Sequence, residues 1–189
     1  EECRAVRNSV GVLEASAFSK YRGTGPGAAE WLDRLLACRL PAAGRIRLPP
    51  MLAPTGRLMG DLTLVRLAEA DFMIFGSGYL QAWHLRWFRE HLPPSGVELC
   101  NLTDQWLGFA LAGPRSRELL ARLTDEDVGD AALPFMSARR TEVASAPAIV
   151  ARLSVSGELG YEVYVPALHL RPLYGRILVI APEHRRSAL

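Results

Sequence analysis

The sequence has few cysteines, a single lysine and no long apolar run. Cys3, Cys38 and Cys100 lie tens of residues apart, a spacing that fits neither a disulfide framework nor a set of zinc ligands. No apolar stretch approaches the roughly 20 residues that a membrane helix needs. The net charge is only +2 and the basic residues are scattered, which argues against a nucleic-acid surface. We therefore expect a protein of a reducing compartment with no membrane or nucleic-acid partner.

Several signatures of catalysis and cofactor binding are also missing. The sequence has no G-x-S-x-G nucleophile elbow. His84 and His91 could share a helix face, but no third ligand is placed beside them, so no metal site is predicted. Residues 23–28 resemble a dinucleotide-binding glycine motif, but Pro26 removes an amide that a pyrophosphate would use, and no acidic residue follows at the required spacing. We expect this segment to be a plain helix start.

What the sequence does have is the composition of a folded domain. Of its 189 residues, 49% are apolar, enough to bury a core, and this length predicts one large or two small domains. It begins at Glu1 without an initiating Met or a signal peptide. We interpret it as a truncated segment of a longer polypeptide.

A strand-then-helix pattern occurs twice. Residues 18–22 alternate as a strand does, Gly25-Pro26 follows, and apolar residues then recur at helical spacing. The same order returns at residues 106–123 around Gly113-Pro114. Thr24 is expected to cap the first helix. We interpret the two stretches as a duplicated strand-helix unit.

The remaining pattern is that of short strands with one further helix, at residues 80–91. The predicted strands share alternating or continuous apolar character and are residues 45–52, 60–67, 72–75, 97–102, 148–155 and 161–165. The last two are joined by a hairpin loop at 156–160, whose two glycines suit positive φ. The sequence therefore predicts an α+β fold with largely antiparallel sheets.

The predicted domain organisation has four segments. Residues 1–45 and 104–175 are the two parts of one subdomain, residues 46–103 are an inserted α+β subdomain, and residues 176–189 are an irregular tail.

Two acidic residues stand in apolar strand patterns. Asp61 follows Gly60 at the head of an apolar run, where a carboxylate costs free energy unless it is paired or used. The sequence alone is compatible with an edge-of-strand or capping role for Asp61 as well as with a functional role. Glu162 lies between Tyr161 and Val163, so we expect partial burial and a partner. The two carboxylates could converge on one polar ligand.

The chain resembles a known family over residues 2–175. Ordered motifs carry the resemblance, at residues 4–13, 18–20, 24–26, 50–52 with 56–63, 112–116 and 156–164. They are similar to the folate-binding aminomethyltransferase fold of the glycine cleavage system T-protein, and more closely to the C-terminal half of dimethylglycine and sarcosine dehydrogenases.

This resemblance implies a tetrahydrofolate site within a cloverleaf of subdomains. A one-carbon iminium derived from a methylated amine would be captured there to give 5,10-methylenetetrahydrofolate. Asp61 matches the aspartate that steers the cationic iminium and assists proton loss. Glu162 matches the glutamate that holds the pterin ring. Met51 and Tyr161 lie in the same motifs and are expected to contact the cofactor.

Two positions depart from the folate-binding pattern. Leu48 and Val155 stand where folate-using members commonly carry tyrosines that frame the ligand. A leucine or valine still gives the site an apolar wall, but it lacks the tyrosine hydroxyl, whose hydrogen bond is worth about 1 kcal/mol. We therefore expect weaker folate binding. Gly60 stands where T-proteins show a second acid, which favours the dehydrogenase branch.

The resemblance also implies parts that this chain does not contain. An upstream FAD-binding oxidase domain and a C-terminal barrel-like subdomain are expected in the parent, so the redox step lies elsewhere. Two alternatives stay open: a non-catalytic, protein-binding relative like the regulatory subunit of pyruvate dehydrogenase phosphatase, and a folate-fold protein of the iron–sulfur assembly type. The leading interpretation implies choline degradation in the mitochondrial matrix or a bacterial cytoplasm.

Overall fold

The computed structural model describes residues 2–180, which divide into two compact units. The discontinuous unit combines the chain up to Ser16 with the chain from Asp104 onward, and the inserted unit is Ala17–Thr103. The inserted unit therefore begins at Ala17 and not after residue 45, because the segments Ser19–Thr24 and Ala28–Leu35 pack within it.

Short strands dominate both units. The strands are β1 (Gly11–Glu14), β2 (Ser19–Thr24), β3 (Arg45–Arg47), β4 (Pro50–Leu52), β5 (Leu58–Asp61), β6 (Thr63–Ala68), β7 (Asp71–Gly76), β8 (Glu98–Asn101), β9 (Trp106–Ala112), β10 (Ser137–Val143), β11 (Ala146–Arg152) and β12 (Gly160–Pro166). The helices are α1 (Glu2–Asn8), α2 (Ala28–Leu35), α3 (Gln81–Glu90), α4 (Ser116–Ala121) and α5 (Leu170–Ile180). Since the longest of these helices has 11 residues, none within residues 2–180 can cross a bilayer.

The discontinuous unit is built on an antiparallel sheet of strand order β1-β9-β12-β11-β10. One face packs on α4 and α5 through a core that includes Leu119, Leu173 and Val163. Because side chains alternate along a strand, Val163 faces this core, whereas Glu162 and Tyr164 lie on the opposite face.

The inserted unit has its own antiparallel sheet, of order β3-β6-β7-β2-β8, and a separate β4–β5 hairpin. Helices α2 and α3 cover one face of that sheet. Trp31 of α2 and Phe88 of α3 meet there with their ring centroids 6.0 Å apart, inside an apolar cluster. The α+β architecture with antiparallel sheets is thus confirmed.

The duplicated strand-helix unit is present in matching geometry. β2 leads through Gly25 into α2, and β9 leads through Gly113 into α4. Both glycines have positive φ, +110° and +127°, and a Cβ at either would collide with a backbone carbonyl oxygen, of Gly96 and Ser9 respectively. In each copy the glycine carbonyl accepts the first amide of the helix at 3.0 Å. Thr24, expected to cap α2, does not do so: α2 begins at Ala28 with no side-chain cap.

Several predicted strands are shorter than expected. The run at 45–52 breaks into β3 and β4 around Pro49, which has no amide hydrogen to donate to a ladder. The run at 60–67 breaks at Leu62, whose N–H donates to the Pro49 carbonyl. β11 ends at Arg152, so Val155 lies in the following loop. Gly157 in that loop has φ +83°, whereas Gly160 already belongs to β12.

Four elements were not predicted: α1, β1, β10 and α5. β10 carries Arg139, Arg140 and Glu142, a polar content that hides a strand. The expected irregular tail is helical as far as Ile180, because Leu173, Ile177 and Ile180 bury one face of α5. Residues 181–189 of that predicted tail lie outside the described residues.

Candidate functional site

Asp61 ends strand β5 and is exposed. Its partner in the hairpin is Pro50 of β4, and the turn that joins the two strands contains Gly56 at φ +80°. Asp61 therefore closes β5 just before β6 begins at Thr63, and its carboxylate can reach solvent.

A surface cavity of about 490 Å³ lies beside Asp61 within the inserted unit. Three large side chains with exposed surface share its lining: Phe18, Leu48 and Tyr79. Tyr79 is 97% exposed, which is unusual for an aromatic side chain. The cavity thus combines one carboxylate with apolar and aromatic walls, a combination typical of sites for small molecules.

Contacts around β2 hold one wall of this cavity in place. The Ser19 hydroxyl donates to the Ser77 carbonyl at 3.2 Å, and the buried Lys20 ammonium donates to the Phe18 carbonyl at 2.6 Å. A Cβ at Gly78 would collide with the Ala17 carbonyl oxygen. The two lining segments, residues 17–18 and 76–79, are therefore fixed to each other.

His84 lies behind the Gly60–Asp61 segment and is only 1% exposed. A Cβ built on Gly60 would be 2.9 Å from the His84 Nε2 atom, and one built on Gly76 would be 2.8 Å from its Cε1 atom. The imidazole therefore fills a slot that two glycines leave open. Burial lowers the pKa of His84, and the negative charge of Asp61 opposes that shift.

Glu162 is half-buried near the middle of the sheet in the discontinuous unit. Its neighbours across the strands are Ala110 and Ala151, small residues that leave space above them. The Tyr164 hydroxyl donates to the Glu162 Oε2 atom at 2.7 Å. Burial and the nearby Glu162 charge raise the pKa of Tyr164 well above its usual value, so this phenol stays a donor at neutral pH. The expected partial burial and partner are thus present.

Two of the expected cofactor contacts lie in cores. Met51 is fully buried in the apolar cluster of the inserted unit. Tyr161 is buried on the opposite face of β12 from Glu162, and its hydroxyl donates to the Val128 carbonyl and accepts from Arg117 Nε, both at 3.1 Å. Both side chains are buried in this structure, and a contact of either with a cofactor stays a prediction.

The two departures from the folate-binding pattern lie on the surface. Leu48 is 63% exposed and lines the cavity beside Asp61. Val155 is 92% exposed in the loop between β11 and β12. Both positions could hold a larger side chain without a clash inside their own units.

Another stretch of backbone, at Gly96, packs against the glycine segment before α2. The Gly27 N–H donates to the Gly96 carbonyl at 2.9 Å, and Gly25 lies against the same carbonyl. The segment is therefore a helix start. Among residues 2–180 no group of three or more His, Cys, Asp or Glu side chains could hold a metal ion.

Sequence reasoning missed Phe18, Tyr79 and His84. Each carries a weak signal: Phe18 is an apolar residue just before a strand, and Tyr79 follows the Gly-Ser-Gly turn after β7. His84 could be inferred only from two glycines at strand ends that have no turn to explain them.

Comparison with known proteins shows the family of the chain. The GCVT N-terminal domain family matches residues 1–186, and the chain belongs to that family. It is 32% identical to mitochondrial dimethylglycine dehydrogenase of Mus musculus over 184 residues, 96% of this chain and 21% of the relative. It is 34% identical to the sarcosine oxidase alpha subunit of Rhizobium meliloti strain 1021, over 95% of this chain and 19% of that one. The chain therefore spans about a fifth of the length of these relatives.

Two solved structures share the fold. The glycine cleavage system aminomethyltransferase T of Bartonella henselae superposes with a TM-score of 0.83 at 24% identity, over 94% of this chain and 47% of its own. A chain of the heterotetrameric sarcosine oxidase of Corynebacterium sp. U-96 superposes with a TM-score of 0.76 at 16% identity, over 98% and 92%. The expected aminomethyltransferase fold is confirmed.

Proposed function

We propose that this chain is the folate-binding, one-carbon transfer part of a larger dimethylglycine or sarcosine dehydrogenase-like flavoenzyme. It would pass a one-carbon unit from a methylated amine to tetrahydrofolate, giving 5,10-methylenetetrahydrofolate. The observation that carries the proposal is the exposed Asp61 carboxylate at a cavity with aromatic walls. The regulatory alternative would leave this space filled, and the open cavity favours the enzyme.

Asp61 is the proposed catalytic residue. The substrate carbon arrives as a cationic iminium, and a folate nitrogen attacks that carbon and then loses a proton. A fixed carboxylate stabilises the cation and can accept the proton. Its position between β5 and β6, beside walls fixed by Ser19 and Lys20, gives the pre-organisation that such a role needs.

Glu162 is the proposed pterin-binding residue. A carboxylate can accept two parallel N–H bonds from the aminopyrimidine edge of a pterin. Tyr164 engages one lone pair of Oε2 and orients the side chain, and each carboxylate oxygen can accept more than one hydrogen bond. That Asp61 and Glu162 serve the same ligand stays a prediction, since they belong to different units.

The flavin step is assigned to another part of the parent protein. The glycine segment of this chain forms no dinucleotide site, since the Gly27 N–H is already hydrogen-bonded to the Gly96 carbonyl. An FAD domain supplies the oxidation that makes the iminium, and the residues of this chain act only on its product. We expect the parent in mitochondria or in bacteria, because similar proteins come from both.

Calorimetric titration of the chain with tetrahydrofolate tests the binding. We expect Glu162→Gln to weaken binding about tenfold and Asp61→Ala to weaken it little. The exposed strand residue Glu142 provides the matched control, Glu142→Gln, which should bind as the unmodified chain does. No heat of binding from the unmodified chain would refute the proposal.

A second assay tests the transfer. We expect the chain to accelerate formation of methylenetetrahydrofolate from tetrahydrofolate and formaldehyde, and Asp61→Ala to abolish that acceleration. In the flavoenzyme, Asp61→Ala should leave amine oxidation nearly intact and release formaldehyde. If Asp61→Ala slowed flavin reduction as strongly as folate capture, the assignment of separate sites would be wrong.

A further inference from the structure

The buried imidazole of His84 lies directly behind Asp61, the proposed catalytic residue. His84 belongs to α3, which covers the apolar face of the inserted sheet, yet the ring does not lie on apolar neighbours alone. Its Nε2 atom is against Gly60, the residue before Asp61, and its Cε1 atom is against Gly76, which lines the cavity. The ring thus touches both strand ends that border the cavity.

One tautomer of the ring satisfies the contacts around it. The Tyr21 hydroxyl donates to the Gln81 carbonyl at 3.3 Å and lies 3.4 Å from the His84 Nδ1 atom. We assign the proton to Nδ1, which then donates to the Tyr21 oxygen and leaves a lone pair on Nε2. Among the described residues, Nε2 is buried without a hydrogen-bond partner, and its direction is toward the Gly60 backbone.

The groups that pack around His84 come from every neighbouring element. β2 contributes the Tyr21 hydroxyl, β5 contributes Gly60 and the Asp61 charge, β7 contributes Gly76, and α3 contributes Phe88. Asp61 is thus the charged group that faces the ring. A purely apolar side chain would fill this slot at lower cost, because a buried polar atom without a partner is unfavourable.

We infer that His84 is a positioning residue for Asp61: its neutral imidazole holds the Gly60–Asp61 backbone at a fixed distance from the Gly76 end of β7. The carboxylate then stands at the mouth of the cavity in the place that the reaction needs. The packing of the imidazole against Gly60 and Gly76 stands on geometry alone, while its kinetic consequence rests on the proposed function.

The first arm of the test needs no folate. The C2 proton of His84 is titrated by NMR in the unmodified chain and in Asp61→Asn. Removing the Asp61 charge should lower the His84 pKa further. An unchanged His84 titration would overturn the inference, because the imidazole would then not sense Asp61.

The second arm measures transfer, folate affinity and melting temperature together. His84→Ala should slow formation of methylenetetrahydrofolate at least tenfold while the dissociation constant for tetrahydrofolate changes less than twofold. His84→Gln, which keeps a polar atom near the Nε2 position, should recover most of the rate, and His91→Ala should match the unmodified chain. A merely structural role would lower the melting temperature of His84→Ala and leave the rate per folded molecule unchanged, which would contradict the inference.

The two arms separate the two claims. If the chain neither binds nor converts tetrahydrofolate but Asp61→Asn still shifts the His84 titration, the proposed function is refuted. The link between His84 and Asp61 is then supported. A chain that converts tetrahydrofolate at the same rate in His84→Ala would keep the function and refute the positioning role.

Discussion

Leu48 shows how a single side chain can set the strength of a binding site. It lines the cavity beside Asp61 with most of its surface exposed, so it offers an apolar wall and no hydroxyl. A tyrosine at this position would project into open space. We therefore expect no loss of stability from overpacking, which costs about 1 to 3 kcal/mol in a filled core.

We predict that Leu48→Tyr binds tetrahydrofolate about tenfold more tightly, since a ring contact and a hydroxyl together supply about 1.4 kcal/mol. Val155→Tyr should be tolerated equally well, because Val155 is exposed in a loop. Calorimetry on both single variants and the double variant, with a melting curve for each, measures the effect. Destabilisation without a gain in affinity would favour the regulatory alternative.

Tyr164 is expected to act through Glu162. Tyr164→Phe removes the hydroxyl that donates to Glu162 Oε2 and leaves the ring packed over Gly108. The loss of one hydrogen bond to a charged group should weaken tetrahydrofolate binding by about 1.5 kcal/mol, or roughly tenfold. The same titration measures it, and unchanged affinity would separate Tyr164 from the binding site.

His84 also predicts how stability depends on pH. Because burial lowers its pKa in the folded chain, the unfolded chain binds the proton more readily near pH 6. The free energy of unfolding therefore falls as the pH drops below about 6.5, the ordinary histidine value. Urea unfolding at pH 7.5 and pH 5.5 should show this loss in the unmodified chain and a smaller loss in His84→Gln. Equal losses in both would mean that His84 does not titrate as described.

The repeated glycine before a helix is the element that best connects sequence with fold. Gly25 and Gly113 were recognised as a repeated motif, and both have positive φ in the structure. The strands around them were harder to delimit. Pro49 interrupts an apolar run that periodicity alone joins, and β10 carries charged residues that hide it. The break at Pro49 comes from its missing amide hydrogen, and β10 is defined by its backbone pairing with β11, which alternation of apolar residues does not show.

We predict that Gly113→Ala costs about 2 to 3 kcal/mol of stability, because it adds a collision with the Ser9 carbonyl to a positive φ. Gly25→Ala should cost a similar amount. Gly157→Ala is the matched control: its φ is also positive, but its Cβ would meet open space, so about 1 kcal/mol is expected. Urea unfolding midpoints compare the three, and equal costs would show that the close carbonyl contributes nothing.

At the scale of the whole chain, the sequence predicted the α+β class and the family but misplaced one boundary. The motifs suggested Asp61 and Glu162, whose functional roles stay predictions. They also suggested Met51 and Tyr161, which are buried, because a linear motif does not show which face of a strand a residue occupies. The aromatic cavity walls come from residues far apart in sequence, Phe18 and Tyr79, and only the folded chain brings them together.

The central claim is that tetrahydrofolate binds at the Asp61 cavity. Heteronuclear NMR of the isotope-labelled chain during titration with tetrahydrofolate tests it most directly. We predict saturable shifts of the Leu48, Gly76 and Tyr79 signals, and we expect Leu48→Tyr to reach the same Gly76 and Tyr79 shifts at about tenfold less ligand. Shifts confined to other residues, or none at saturating tetrahydrofolate, would contradict the account.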